Sequence, residues 1–162
     1  MKKLFTLLAL TITFSMNAQV STNSTSPTGI YASAMGNGTT ASGNESTAMG
    51  FNTQANGTAS TAMGRQTTAS GNSSTAMGAG TIASDFGSTV IGQHNSSGSS
   101  VTNSAWIFNT ANTAFVIGNG ADSSNKSDAF KVMFNGDTTV SNDLTVSGDV
   151  VISSDARLKS NI

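Results

Sequence analysis

Ala-Met-Gly recurs at residues 34–36, 48–50, 62–64 and 76–78, and Val90-Ile91-Gly92 takes a fifth place at the same spacing. Set in rows of fourteen from Pro27, Ala41, Ala55, Ala69 and Ala83, residues 27–96 read PTGIYASAMGNGTT, ASGNESTAMGFNTQ, ANGTASTAMGRQTT, ASGNSSTAMGAGTI and ASDFGSTVIGQHNS, without insertion or deletion. A fixed period over five registers predicts one small unit stacked on itself.

The unit is short of bulk. Charged residues make up 9% and aromatic residues 6% of the 162 positions. A chain so poor in large apolar side chains cannot fill a compact globular core by itself. It is either disordered or a repeat in which small residues pack a thin coil. The unbroken period favours the coil.

Each row also holds a fainter half-repeat, Ala-x-Gly-x-x-Ser/Thr, seven residues apart. A coiled coil with that period is rejected: two glycines per row would cost about 2 kcal/mol of helix propensity, and there is no a/d apolar seam. Two short strands per row, joined by turns, fit better. Within Ser46-Thr47-Ala48-Met49-Gly50, strand alternation places Ser46, Ala48 and Gly50 on one face and Thr47 and Met49 on the other. The small face suits the inside of a flattened coil.

Coils stacked at ~4.8 Å would bring Met35, Met49, Met63, Met77 and Ile91 into one apolar column roughly 24 Å long. Exposed on a monomer, such a column is a liability. Buried against partner chains, each side chain contributes ~1.5–3 kcal/mol. Burial within the chain's own core is the alternative, and alternation alone does not choose between them. The lack of any other bulky core favours a homotrimer, with the columns packed around a common axis.

Ser/Thr-x-Ala-x-Gly at fourteen-residue spacing, with Ala-x-Gly half-units, resembles the YadA-like head repeat of trimeric autotransporter adhesins. The resemblance covers residues 27–96. It implies an all-β fold: a left-handed parallel β-roll or solenoid, one coil per repeat, trimeric, used for attachment to host, matrix or environmental surfaces. Adhesins of that kind anchor through a C-terminal membrane barrel, and no segment of this sequence reads as one.

The flanks complete the plan. Lys2-Lys3, the apolar stretch Leu4 to Phe14 and Met16-Asn17-Ala18 predict a signal peptide over residues 1–18, followed by a linker over 19–26. That apolar stretch is well short of the ~20 residues a membrane span needs, so no span is expected. The mature protein is expected to be secreted or held at the cell surface or outer membrane.

Residues 97–152 are expected to form a β-rich neck. There Trp106-Ile107-Phe108, Phe115-Val116-Ile117 and Phe130-Lys131-Val132-Met133-Phe134 are bounded by Asn119-Gly120 and Asn135-Gly136-Asp137 turns, and Val140, Leu144, Val146, Val150 and Ile152 follow. Trp106 is expected to pack at the head–neck junction.

Residues 153–162 read SSDARLKSNI. Ser-Asp-x-Arg-Leu-Lys-x-Asn-Ile resembles the entry to the endosialidase-type intramolecular chaperone domain, here truncated. That resemblance implies a single self-cleavage with Ser154 as nucleophile and Lys159 as its base, inactive without the rest of the domain. A strand end followed by a helix start, with Ser154 as N-cap, fits the same residues.

Other chemistry finds little footing. The absence of cysteine excludes disulfides and thiolate sites. The net charge of −1 suggests no nucleic-acid partner. His94 is the single histidine, without ligand-spaced companions, so no metal and no cofactor are expected. No turnover enzyme is expected. Specificity is placed in the columns that vary between rows, Tyr31, Glu45, Phe51, Arg65 and His94. A second function class is an ice-binding or other flat-surface solenoid, suggested by the ladder Thr47, Thr61, Thr75 and Thr89.

Overall fold

A computed structural model describes residues 22–148. The signal-peptide segment, Val150, Ile152 and the Ser154 and Lys159 pair lie outside the described residues.

The chain is all-β, with no helix among the described residues. In chain order the strands are β1 Thr22–Asn23, β2 Ser26–Pro27, β3 Ser33–Asn37, β4 Thr40–Ala41, β5 Thr47–Phe51, β6 Gln54–Ala55 and β7 Thr61–Arg65. They continue as β8 Thr68–Ala69, β9 Thr75–Ala79, β10 Ile82–Ala83, β11 Thr89–Gln93, β12 Thr113–Asn119, β13 Asp128–Met133 and β14 Thr138–Val140. Long and short strands alternate through the repeats. The long ones form a nine-stranded sheet in the order β1-β3-β5-β7-β9-β11-β12-β13-β14, and the short ones a five-stranded sheet, β10-β8-β6-β4-β2. Through the repeats all pairing is parallel and in register, so Ala34 meets Ala48, Ala48 meets Ala62 and Ala62 meets Ala76. The result is a parallel β-solenoid with one coil per row.

The interior is as thin as the composition requires. Ala48, Ala62, Ala76 and Val90 come from the long strands, and Ala41, Ala55, Ala69 and Ala83 from the short ones. Ser46, Ser60, Ser74 and Ser88 line it, together with Thr39, Thr53, Thr67 and Thr81, and all of these are fully buried or nearly so. Nothing larger than valine enters the alanine columns, and facing strands must therefore lie close.

Two corners of every coil use left-handed backbone. One column is Tyr31, Glu45, Ala59 and Ser73, with φ of 59°, 59°, 54° and 56°. The other runs Gly38, Asn52, Gln66, Gly80 and His94, with φ from 40° to 64°. A non-glycine residue there costs of order 1 kcal/mol. The geometry returns a hydrogen bond: from Gly38 and Glu45 onward, each such residue turns its N–H onto the preceding coil. Glu45 donates to the Ile30 carbonyl at 2.7 Å, Gln66 to Phe51 at 2.8 Å and His94 to Ala79 at 3.0 Å.

The parallel stack continues past the fifth row. After β11 the chain makes an excursion over residues 94–112 and returns as β12, parallel to β11, with Val90 beside Val116 and Ile91 beside Ile117. Phe115-Val116-Ile117 is thus the strand of a further coil, and the antiparallel hairpins begin only after it, with β13 on β12 and β14 on β13. Buried side chains close the stack under the excursion. Asp85 accepts the Thr102 N–H at 2.6 Å and the Thr113 N–H at 2.8 Å. Asn95 takes the Ile82 N–H at 2.8 Å and gives its own amide hydrogens to the Ile82 and Ser97 carbonyls. Asn112 does the same at Ser104, accepting its N–H at 2.9 Å and donating to its carbonyl at 2.7 Å. These amides and the carboxylate stand in for the backbone that a further regular coil would supply.

Two neck expectations are corrected. Leu144 and Val146 lie in no strand and are exposed, because among the described residues the last strand of the sheet ends at Val140. Trp106 is 71% exposed on the single chain, since the excursion that carries it turns its apolar residues outward.

Candidate functional site

The outward face of the long-strand sheet carries the largest ordered apolar feature. Alternation sends Ala and Val inward and leaves two lanes outside. One lane is Ser33, Thr47, Thr61 and Thr75, joined through Thr89 to Phe115 and then to Val132. The other is Met35, Met49, Met63 and Met77, then Ile91, Ile117, Phe130 and Val140. The methionine column expected from the repeats therefore runs on across the hairpins, spanning eight strands and, at ~4.8 Å each, roughly 34 Å. It lies outside the core: Met63 is 38% and Met77 36% exposed, and the other Met and Ile members are half-buried. Phe115 and Phe130 pack edge to face, their centroids 6.2 Å apart. The threonines do align, but each stands beside a methionine or, for Thr89, beside Ile91, so the face is not a plain array of hydroxyls.

The five variable-column residues fall into two groups. Tyr31 and Glu45 occupy the left-handed corner that precedes the long strands, and Tyr31 is 86% exposed. Phe51 and Arg65 are register partners at the far end of those strands, where Phe51 is 45% exposed. The two groups are separated by a five-residue strand, about 15 Å of extended backbone.

His94 joins the second group. It lies two rows beyond Gln66 in the same corner column, with its ring laid against Gly80: a Cβ on Gly80 would fall 2.3 Å from the ring. Arg65 and His94 line one cavity of about 430 Å³, with Gln66, Asp122 and Lys126. The loop that supplies Asp122 and Lys126 is fastened to the last coils. Ser127 N–H donates to the His94 carbonyl at 3.2 Å, and Gly120 N–H to the Gln93 carbonyl at 3.0 Å. Gln93 Nε2 donates to the Gly120 and Ala121 carbonyls at 3.0 and 3.2 Å.

Asp122 is occupied by its own turn. Its carboxylate accepts both the Asn125 side-chain amide and the Ser124 and Asn125 N–H groups. The Asn125 side chain first, then the two backbone donors, hold its carboxyl below its ordinary value, and nearby His94 adds a smaller effect in the same direction. Lys126 and Asp122 had no signal in the sequence that tied them to Arg65, since the link runs through backbone hydrogen bonds of the loop.

Among the described residues no group of three His, Cys, Asp or Glu side chains is placed to hold a metal ion. No helix among them is long and apolar enough to cross a membrane. No curated protein and no solved structure matches the chain. The YadA head domain repeat family matches residues 28–53, 55–81 and 71–95, the segment over which the coils repeat. Over those residues the coils of this chain are similar to YadA head repeats.

Proposed function

We propose that this chain is an exported, homotrimeric, adhesin-like surface head that holds a ligand-binding face away from the cell. The outward apolar lane from Met35 to Val140 carries the proposal, because on one chain it has no cover. Completing the burial of eight such side chains contributes of order 1 kcal/mol each, about 8 kcal/mol per chain, comparable to the cost of association, so the whole lane must be used. The matched repeats support three as the number of chains, since the family they resemble is trimeric. Maturation by a C-terminal chaperone, with Ser154 and Lys159 in the cleavage step, belongs to this reading and rests on resemblance.

Three copies of one weak site make a strong attachment when all can engage one surface. Beads coated with the full chain should be retained under flow on a layer of extracellular matrix. Beads carrying a Met63→Asp chain, which puts an unpaired charge into the apolar lane, should be released at least tenfold faster. Equal retention by the two, or none by either, would refute the adhesive trimer.

A further inference from the structure

The cavity at the strand-end corner concentrates charge in a chain that has little. Between Leu4 and Gly120 the charged residues are Glu45, Arg65 and Asp85. The one cation of that stretch, Arg65, is brought to the same cavity as Lys126, a residue from the far side of β12. Two cations at one concave site repel each other unless an anion stands between them. Asp122 offsets one of the two positive charges, and its oxygens are taken up by Ser124 and Asn125 of its own turn, so Arg65 and Lys126 together leave the cavity with net positive charge.

The remaining wall is polar and fixed. His94 lies flat over Gly80, with Nδ1 buried and without a hydrogen-bond partner. Gln66 adds an amide, its backbone held by the Phe51 carbonyl at 2.8 Å. Phe51, the register partner of Arg65 across β5 and β7, is 45% exposed on the neighbouring coil. Guanidinium, ammonium, imidazole and amide donors in a cavity of about 430 Å³ match an oxyanion on a ring-sized body.

We infer that this cavity binds the acidic sugar of a surface glycan, with Arg65 and Lys126 holding its carboxylate or sulfate. The inference rests on the adhesive reading for its biological setting. Its residues, however, all come from one chain, so binding and oligomeric state fail separately.

Titration calorimetry of the full chain with glucuronic acid, glucose 6-sulfate and glucose tests it, with the mass in solution measured on the same samples. Both acidic sugars should bind, and glucose at least tenfold more weakly. A preference between the two acids tells a carboxylate source from a sulfate source. Arg65→Gln and Lys126→Gln should each weaken the acidic sugars by about tenfold, the loss of one charge-assisted hydrogen bond, while Asp143→Asn, exposed and outside the cavity, changes nothing. All of this should hold with the mass unchanged. Absence of binding by both acids, equal binding of glucose, or undiminished binding by Arg65→Gln would each overturn the site.

Discussion

A Cβ on Gly71 would fall 2.1 Å from the carbonyl oxygen of Asp85, the residue that occupies the same corner one coil later. Gly29, Gly43 and Gly57 are held to glycine by the same contact, each against the coil above it. Asp85 has no regular coil above it. The corner can therefore carry a side chain, and that side chain turns inward to take the Thr102 and Thr113 N–H groups. One residue thus marks the end of the glycine column and closes the stack.

Removing that carboxylate should loosen the whole end of the solenoid. Asp85→Ala leaves two backbone donors without their charged acceptor, and Thr113 is buried. The expected loss is about 3 kcal/mol. Asp85→Asn should do nearly as badly, because its NH₂ cannot accept. Urea unfolding followed by circular dichroism measures both, and a loss below ~1 kcal/mol in Asp85→Ala would show that the cap is unimportant.

Glycines of different kinds should respond differently. Gly57 has no left-handed backbone, yet a Cβ there meets the Gly71 carbonyl oxygen at 2.1 Å. Gly57→Ala must push two coils apart, costing roughly 3 kcal/mol. Gly136 has φ of 93° and open space around it, so Gly136→Ala carries only the backbone cost of about 1 kcal/mol. Thermal unfolding should rank them in that order.

Most of the coil was legible because its period is rigid. Ser46 and Ala48 inward with Thr47 and Met49 outward follows from alternation alone, and the Asn135-Gly136-Asp137 turn does join β13 to β14. The further coil was hidden by the excursion of residues 94–112, which breaks the fourteen-residue spacing. Its signal was the tripeptide itself, since Val116-Ile117-Gly118 repeats Val90-Ile91-Gly92. The cavity was half legible. Arg65 and His94 stood out as variable positions in separate columns, but their meeting depends on how far apart stacked corners lie. Lys126 is brought to the same cavity by long-range bonds that no local pattern announces, among them Ser127 to the His94 carbonyl and Gly120 to the Gln93 carbonyl.

The Asp122 turn predicts a pH response with a definite sign. Its folded-state pKa lies below the ordinary 3.8, chiefly through the Asn125 side chain. The contribution of the turn is therefore present above the unfolded value and is lost as pH falls through the lower, folded one. The Asn125 side-chain amide resonances should stay constant from neutral pH down to about 4 and move only in more acidic solution. Movement centred above pH 4 would contradict the hydrogen-bonded turn.

The central claim is that the lane from Met35 to Val140 is an interface among three chains, and sedimentation equilibrium at micromolar concentration reads this directly. The full chain should sediment at three times the mass of one chain, 16.3 kDa before any processing. Met63→Asp, which places a charge in the middle of the lane, should shift it toward the single-chain mass, whereas Arg65→Asp, one glycine further along the strand, should leave the trimer intact. A folded wild-type chain sedimenting as a monomer, or equal effects of the two substitutions, would contradict the account.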